Sequence, residues 1–373
     1  MFRPSLKNNK SLITLAIFAL ILYYIAQTNY RDIQSPWFEE KQASAHRMDI
    51  ATRIIKDEVL SQGYTIDKVN DPNETGLIGI NVSSITTSRG TLSERLITTN
   101  PNFAAAMLDL LKRANLDEGD YVAVGVTGAN PGANLALFSA METLKLNPVV
   151  ITSVGAATFG ANREMMTWLD MEKVLYEHDI ISFTSQYATI GGTNDLGRGL
   201  PPEGRNNIEE AIERNEVILI GGESLEDNVQ LRIDAYAEML PEGTNYRAFI
   251  NIGAGVGNVG SLVNARIIST GINRRLGERT FREPGALMYF AQLNIPVIHI
   301  YNINKIVSDY KLPRDLVPMP TPGTGSLFST RINNIYVAII CWILLVAAIV
   351  LVIFFDRHDR HFMSNVIDPD DEL

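Results

Sequence analysis

The chain is poor in the side chains that most often ligate metals or cross-link a fold: one cysteine and five histidines in 373 residues. The cysteine, Cys341, lies inside an apolar run, so the rest of the chain has neither a disulfide nor a thiolate nucleophile. A disulfide-free domain of this size must be stabilised by its core alone, which fits a bacterial surface protein better than a secreted eukaryotic one. His46, His178 and His299 precede the last apolar run, with no ligand spacing between them, and no metal site is expected. There is no Gly-x-Ser-x-Gly elbow, no His-Glu-x-x-His and no Walker loop ending in Gly-Lys-Ser/Thr. Cations are also in deficit: 32 Lys+Arg against 42 Asp+Glu leave a net charge of −10. That balance excludes a uniformly basic nucleic-acid surface, and no helix-turn-helix or zinc module appears, so no nucleic-acid partner is expected.

Charge is missing altogether from one long stretch. Ile335 to Phe355 reads IYVAIICWILLVAAIVLVIFF, long enough to cross a hydrocarbon core of ~30 Å at a rise of about 1.5 Å per residue. A second apolar run, LITLAIFALILYYIA from Leu12 to Ala26, follows Arg3, Lys7 and Lys10. Its length would suit a signal peptide, but Gln27, Thr28, Asn29 and Tyr30 offer no small-residue cleavage site, so it reads as an uncleaved anchor. Lys/Arg bias sets orientation. The basic residues before the first run, and Arg357 and Arg360 after the second, place both termini in the cytoplasm and the middle of the chain outside it. The expected organisation is a cytoplasmic N-terminus (1–10), a transmembrane helix (11–29), a juxtamembrane amphipathic helix and turn (30–75), and an extracytoplasmic α/β domain (76–302). A Pro/Gly-rich linker (303–334), a second transmembrane helix (335–355) and a cytoplasmic tail (356–373) complete it.

Within the central domain, short apolar runs alternate with helical patterns. Tyr121–Val126, Pro148–Ser153, Ile180–Phe183, Val217–Ile220, Ala248–Ile252 and Pro296–Ile300 read as strands, and Leu77–Thr86 as an extended stretch. Helices open at Asn100-Pro101, at Asn130-Pro131, at Ser224 with Asp227 three residues on, and at Pro284. The implied fold class is α/β: a largely parallel sheet with helices on both faces, flanked by one transmembrane helix at each end.

Ligands of open parallel sheets gather at the carboxyl ends of the strands, and several of those ends carry glycine. Thr127, Gly128, Asn130 and Gly132 form one turn, with backbone free to approach an anion ahead of a helix start; the alternative is a well-capped βα turn with no ligand. Gly253, Gly255, Gly257, Asn258 and Gly260 form another, with a G-x-G-x-x-G spacing at 255, 257 and 260. A dinucleotide reading lacks the acidic residue that should end a following strand, which leaves another anion or a structural turn, and no cofactor is assigned. Glu223 and Ser224 end a third strand, where Glu223 suits either acid–base work or first-turn charge on the helix that Ser224 begins. His299, within an apolar strand, reads as a satisfied core residue. Arg274, Arg275, Arg279 and Arg282 cluster on this acidic domain, and 275, 279 and 282 would share a face if helical. Guanidinium groups there suit carboxylates, against the alternative of a solvated face.

The segments TTNPNFAAAMLDLLKRA, GDYVAVGVTGANPGANLALFSAMETL and PVVITSVGAATFGAN, with the flanking apolar runs, resemble the bacterial family of poly-γ-glutamate system proteins. The resemblance covers nearly the whole chain and implies an accessory role in making or exporting poly-γ-glutamate, an anionic surface polymer. It implies no reaction and no catalytic residue. The expectation is a protein of the bacterial cell membrane whose central domain binds an anionic ligand, poly-γ-glutamate or a membrane-bound synthase partner. The alternative is a surface enzyme, a hydrolase or amide ligase acting on the polymer through Glu223 or a strand-end Ser or Thr.

Overall fold

A computed structural model describes residues 9–276, 281 and 283–364. In chain order, α1 (Asn9–Thr28) and β1 (Tyr30–Gln34) are followed by α2 (Phe38–Ser61), β2 (Thr86–Ser88), α3 (Leu92–Thr98) and α4 (Asn102–Arg113). Then come β3 (Tyr121–Thr127), α5 (Pro131–Thr143), β4 (Asn147–Ser153), β5 (Ala156–Ala157), α6 (Trp168–Glu177) and β6 (Tyr187–Thr189). Next are α7 (Pro202–Arg214), β7 (Ile218–Leu219), α8 (Leu225–Glu238), β8 (Ala248–Ile252), α9 (Val256–Val259) and α10 (Leu262–Ile267). The last are β9 (Gly271–Asn273), α11 (Ala286–Gln292), β10 (Val297–Ile300), α12 (Ile303–Asp309), β11 (Ser329–Asn333) and α13 (Ile335–Ser364).

Two units divide these elements. One comprises residues up to Gln34 together with those from Ser329 onward. In it β1 and β11 pair antiparallel, from Tyr30 opposite Asn333 to Gln34 opposite Ser329. Helices α1 and α13 pack together and leave the same end of this ribbon, so they run antiparallel. Both are long and apolar enough to cross a membrane, α13 over Ile335–Phe355. Almost all of their surface is exposed, including Ile13, Leu20, Ile340, Trp342 and Phe354, which is the opposite of a core helix.

The second unit runs from Ser35 to Phe328. Its seven-stranded sheet has the order β7-β6-β4-β3-β8-β10-β9, and every pairing is parallel except β9 on β10. One face is covered by α2, α4, α5 and α6, whose apolar stripes meet Val122, Val124, Val126 and Ile250 from the sheet. The other is covered by α8 and α11, with Tyr236, Tyr246, Phe249 and Phe290 forming an aromatic cluster under them. The juxtamembrane helix and the Pro/Gly-rich stretch expected to stand apart are both packed in this unit. Met48, Ala51, Ile55 and Val59 of α2 are fully buried, and so nearly are Leu312, Leu316, Leu327 and Phe328.

Two apolar stretches read as extended form little ladder. Ile181 and Phe183 pack into the core instead, Phe183 against Phe138 at 5.1 Å, and the strand forms four residues later as β6. From Leu77 onward the backbone is extended but held by side chains: Arg163 donates to the carbonyls of Gly76 (3.0 Å) and Ile78 (2.8 Å), and Asn162 brackets Ile80. Buried backbone groups need partners from somewhere, and here guanidinium and amide groups supply them together with the backbone of Phe159.

Candidate functional site

Sequence order reverses between β3 and β8. Strands β4, β6 and β7 continue to one side of β3, while β10 lies beyond β8 on the other. The carboxyl ends around such a switch point form a crevice, and here it is a cleft of about 1170 Å³. Thr127, Ser153, Ile252 and Ile300 reach it from the ends of β3, β4, β8 and β10. Its walls come from the segment around β2 and α3, the glycine loop after β6, the turn after β8, and the starts of α10 and α12.

The floor on the β4 side rests on a fully buried ion pair. Arg232 of α8 donates to Asp195 Oδ2 through Nη2 at 2.8 Å and Nε at 3.1 Å, to Ser153 Oγ at 2.7 Å, to Thr189 Oγ1 at 2.6 Å and to Asn258 Oδ1 at 3.3 Å. Asp195 Oδ1 accepts from Ser153 and Thr189 (3.1 and 2.9 Å), completing the set. A buried charge is tolerated only when paired and hydrogen-bonded, and here all three guanidinium nitrogens donate. Its tight seat accounts for glycine in the turn after β8. A Cβ at Gly257 would stand 2.5 Å from Arg232 Nε and Asp195 Oδ2, and one at Gly255 would stand 2.9 Å from Thr127 Cγ2. At Gly260, with φ +80°, a Cβ would strike the Glu283 carbonyl. Internal packing therefore explains the G-x-G-x-x-G spacing without a dinucleotide.

The other sequence-predicted positions separate cleanly. Thr127, Asn130, Gly253 and Gly255 line the cleft, with Gly257 and Asn258 just beneath it against Arg232. Gly128 and Gly132 are packing positions, where a Cβ would meet the carbonyls of Val154 and Thr98. Asn130 is committed as the cap of α5: its Oδ1 accepts from Ala133 N at 3.3 Å and Thr98 Oγ1 at 2.7 Å. Its carbonyl takes Asn134 N, and Pro131 has no N–H, so this helix start offers an anion far less than its sequence suggests. Glu223 and Ser224 are exposed and outside the cleft lining, Ser224 capping α8 by accepting from Asp227 N at 3.1 Å. Arg274 and Arg275 lie in a bend rather than a helix, Arg275 exposed and away from the cleft. Arg279 and Arg282 fall outside the described residues. His299 is buried, its Nε2 donating to Ala265 O and its Nδ1 accepting from Asn251 Nδ2, both at 3.0 Å, and burial holds it neutral.

The cleft's own cations were not singled out by the sequence. Arg89, Arg95, Arg266 and Lys305 line it, Lys305 paired with Asp309 at 2.7 Å, against the carboxylates Glu94 and Asp195, and Asp195 is already neutralised by Arg232. An overall acidic chain thus presents a locally positive cavity. Arg95 stands apart from the other enclosed arginines. Arg47 and Arg163 donate to backbone carbonyls, Arg214 to Asp170 and Arg232 to Asp195. Among the described residues the Arg95 guanidinium has no hydrogen bond or ion pair; its Nε is buried without a partner, as are those of Arg47 and Arg163, but those two have other nitrogens bonded. Burial lowers its pKa and neighbouring Glu94 only partly opposes that. Gly90 makes the room, since a Cβ there would lie 2.6 Å from Arg95 Nη2. Lone arginines without spacing give no sequence signal; only the topology brings these four together.

No family model, curated protein or solved structure matches the chain. The function must be read from the cleft. Among the described residues no group of three or more His, Cys, Asp and Glu is placed to hold a metal ion.

Proposed function

We propose that this is a membrane-anchored accessory protein of bacterial poly-γ-glutamate biosynthesis or export, whose unit from Ser35 to Phe328 lies outside the cytoplasm and binds carboxylate groups in the switch-point cleft. The observation that carries the binding reading is Arg95, a half-buried guanidinium with no hydrogen bond or ion pair among the described residues, its Nε buried, lining a cavity with three further cations. Leaving such a group unpaired is costly, and its planar fork matches a carboxylate. The polymer assignment is supported by the resemblance of the segments from Thr98 to Asn162, and the anchoring by the two exposed apolar helices.

The enzymatic alternative is less favoured by the chemistry of the floor. Ser153 Oγ accepts from Arg232 while donating to Asp195, so its lone pair is drawn toward a cation. A nucleophilic serine needs a base that takes its proton and an oxygen left free to attack.

The test is calorimetric titration of the full chain in lipid nanodiscs with glutarate and with short γ-linked glutamate oligomers. Binding that Arg95→Met weakens by roughly 10- to 100-fold, the worth of a charge-assisted hydrogen bond, supports the reading. Absence of binding, or an unchanged affinity in the variant, removes it. A deletion strain that makes surface polymer of unaltered amount and length would separately remove the pathway assignment.

A further inference from the structure

The short helix α10 beside the cleft turns large apolar side chains outward at its first turn. Leu262 and Val263 are 55% and 65% exposed, whereas Asn264 is buried and gives its Nδ2 to the carbonyls of Val259 and Glu283, each at 2.8 Å. Ala265 of the same helix is buried and Arg266 exposed, as in an ordinary solvated helix, so the departure lies in Leu262, Val263 and Asn264. A single exposed leucine would need no explanation, but two adjacent large apolar side chains beside an inward asparagine mark a surface made to be covered. Leu262 lines the same cleft as Arg95, and so does Arg266 of the same helix. Cationic and apolar surface therefore border one space.

We propose that the ligand of this cleft is an amphipathic carboxylate. Its anionic group pairs with Arg95, with Arg266 adding to the field, and an aliphatic portion lies over Leu262 and Val263. The inference rests on the reading that the cleft takes a carboxylate and adds what the rest of the ligand must be: an acylated or alkyl-bearing acid rather than a wholly polar one. Charge complementarity fixes one end of the occupant, and the exposed apolar pair at the start of α10 fixes the other.

The experiment titrates the full chain in nanodiscs with two soluble probes sharing the same two carboxylates, glutarate and N-hexanoyl-glutamate, with empty nanodiscs correcting for partition of the acyl chain. The acylated probe is expected to bind at least about tenfold more tightly, since each buried methylene contributes on the order of 0.8 kcal/mol. The Leu262→Gln/Val263→Thr variant is expected to reduce that preference to less than about threefold. Equal affinity for the two probes in the unmodified chain, or a preference that survives in the variant, overturns the proposal while the carboxylate reading stands. A concentration-dependent dimer abolished by the same variant, without an acyl preference, overturns it by assigning the face to a second copy of the chain. Failure of both probes to bind is a separate outcome that overturns the carboxylate reading and this inference together.

Discussion

Arg95 and Asn130 show how differently two polar residues at one cleft are engaged. Asn130 stands at a helix start, the place where anions are usually sought, yet its oxygen is consumed by the helix's own amide and by Thr98. Asn130→Ala should therefore act as the loss of a cap, roughly 1 kcal/mol of stability. Glu172 is a second residue whose state follows from its surroundings. Fully enclosed beneath β4, its carboxylate accepts from Ser185 N at 2.7 Å and Ser185 Oγ at 2.9 Å, but desolvation outweighs these bonds and raises its pKa to about 7. The folded protein thus holds a proton that the unfolded chain releases near the ordinary carboxylate value. The associated stability is fully present below about pH 4.5 and is lost as the pH rises through about 7, by about 3 kcal/mol at most. Glu172→Gln, which cannot ionise, should flatten this decline between pH 5 and 8. Denaturation midpoints of both proteins at several pH values provide the check, and parallel pH dependence would refute the assignment.

At the scale of elements, α2 and α4 are joined by a second buried pair. Lys41 Nζ lies 2.7 Å from Asp109 Oδ1, both side chains 2% exposed, and the other Asp109 oxygen accepts from Arg113 and from Tyr310 at 2.9 Å. The same network reaches the two ends of the unit: Lys41 donates to Ser35 Oγ at 3.4 Å, and Ser35 bonds the carbonyls of Leu327 and Phe328. Breaking a buried pair from one side costs more than replacing it by apolar groups. Lys41→Met should destabilise the unit by about 3 kcal/mol, and Lys41→Met/Asp109→Leu should recover most of that, measured by thermal unfolding of the full chain. A double variant no more stable than the single one would refute the pairing argument. This pair also marks where sequence reasoning stopped. The alternation of apolar runs with helical patterns gave the parallel sheet, because β3, β4, β8 and β10 are buried on both faces and read as largely apolar segments. The ribbon of β1 and β11 was invisible, since every residue of β1 is exposed and its partner lies some 300 residues away. The helix α3 that carries Arg95 is only seven residues long, too short for a periodic signal. The apolar run at Ile180–Phe183 carried a strand's composition but a core role, a distinction that depends on Phe138 and Trp168 from other elements.

For the whole molecule, the pairing that joins the chain's two ends constrains its topology in a membrane. An antiparallel ribbon with a helix leaving each strand at the same end gives two helices whose far ends lie on one side. Tyr23, Tyr24 and Tyr336 are exposed near the ribbon end of those helices, where an aromatic belt would meet the headgroups. Arg3 and Lys7 precede α1 in the sequence and Lys10 lies in its first turn, a bias that in the proposed topology marks the cytoplasmic side. Reversing this arrangement would translocate the basic N-terminus and keep a 35–328 unit built without cysteine in the cytoplasm. The two topologies differ in which thiols an impermeant reagent can reach. With Cys341 replaced by alanine, Val69→Cys, at a position 87% exposed, should react with a membrane-impermeant maleimide in intact cells, whereas Ser5→Cys should react only after lysis. The converse labelling would invert the protein and remove any direct encounter between the cleft and a surface polymer. Labelling of both positions before lysis would mean that the first apolar helix does not span the membrane, and the ribbon would then have to be explained without an anchor on its N-terminal side.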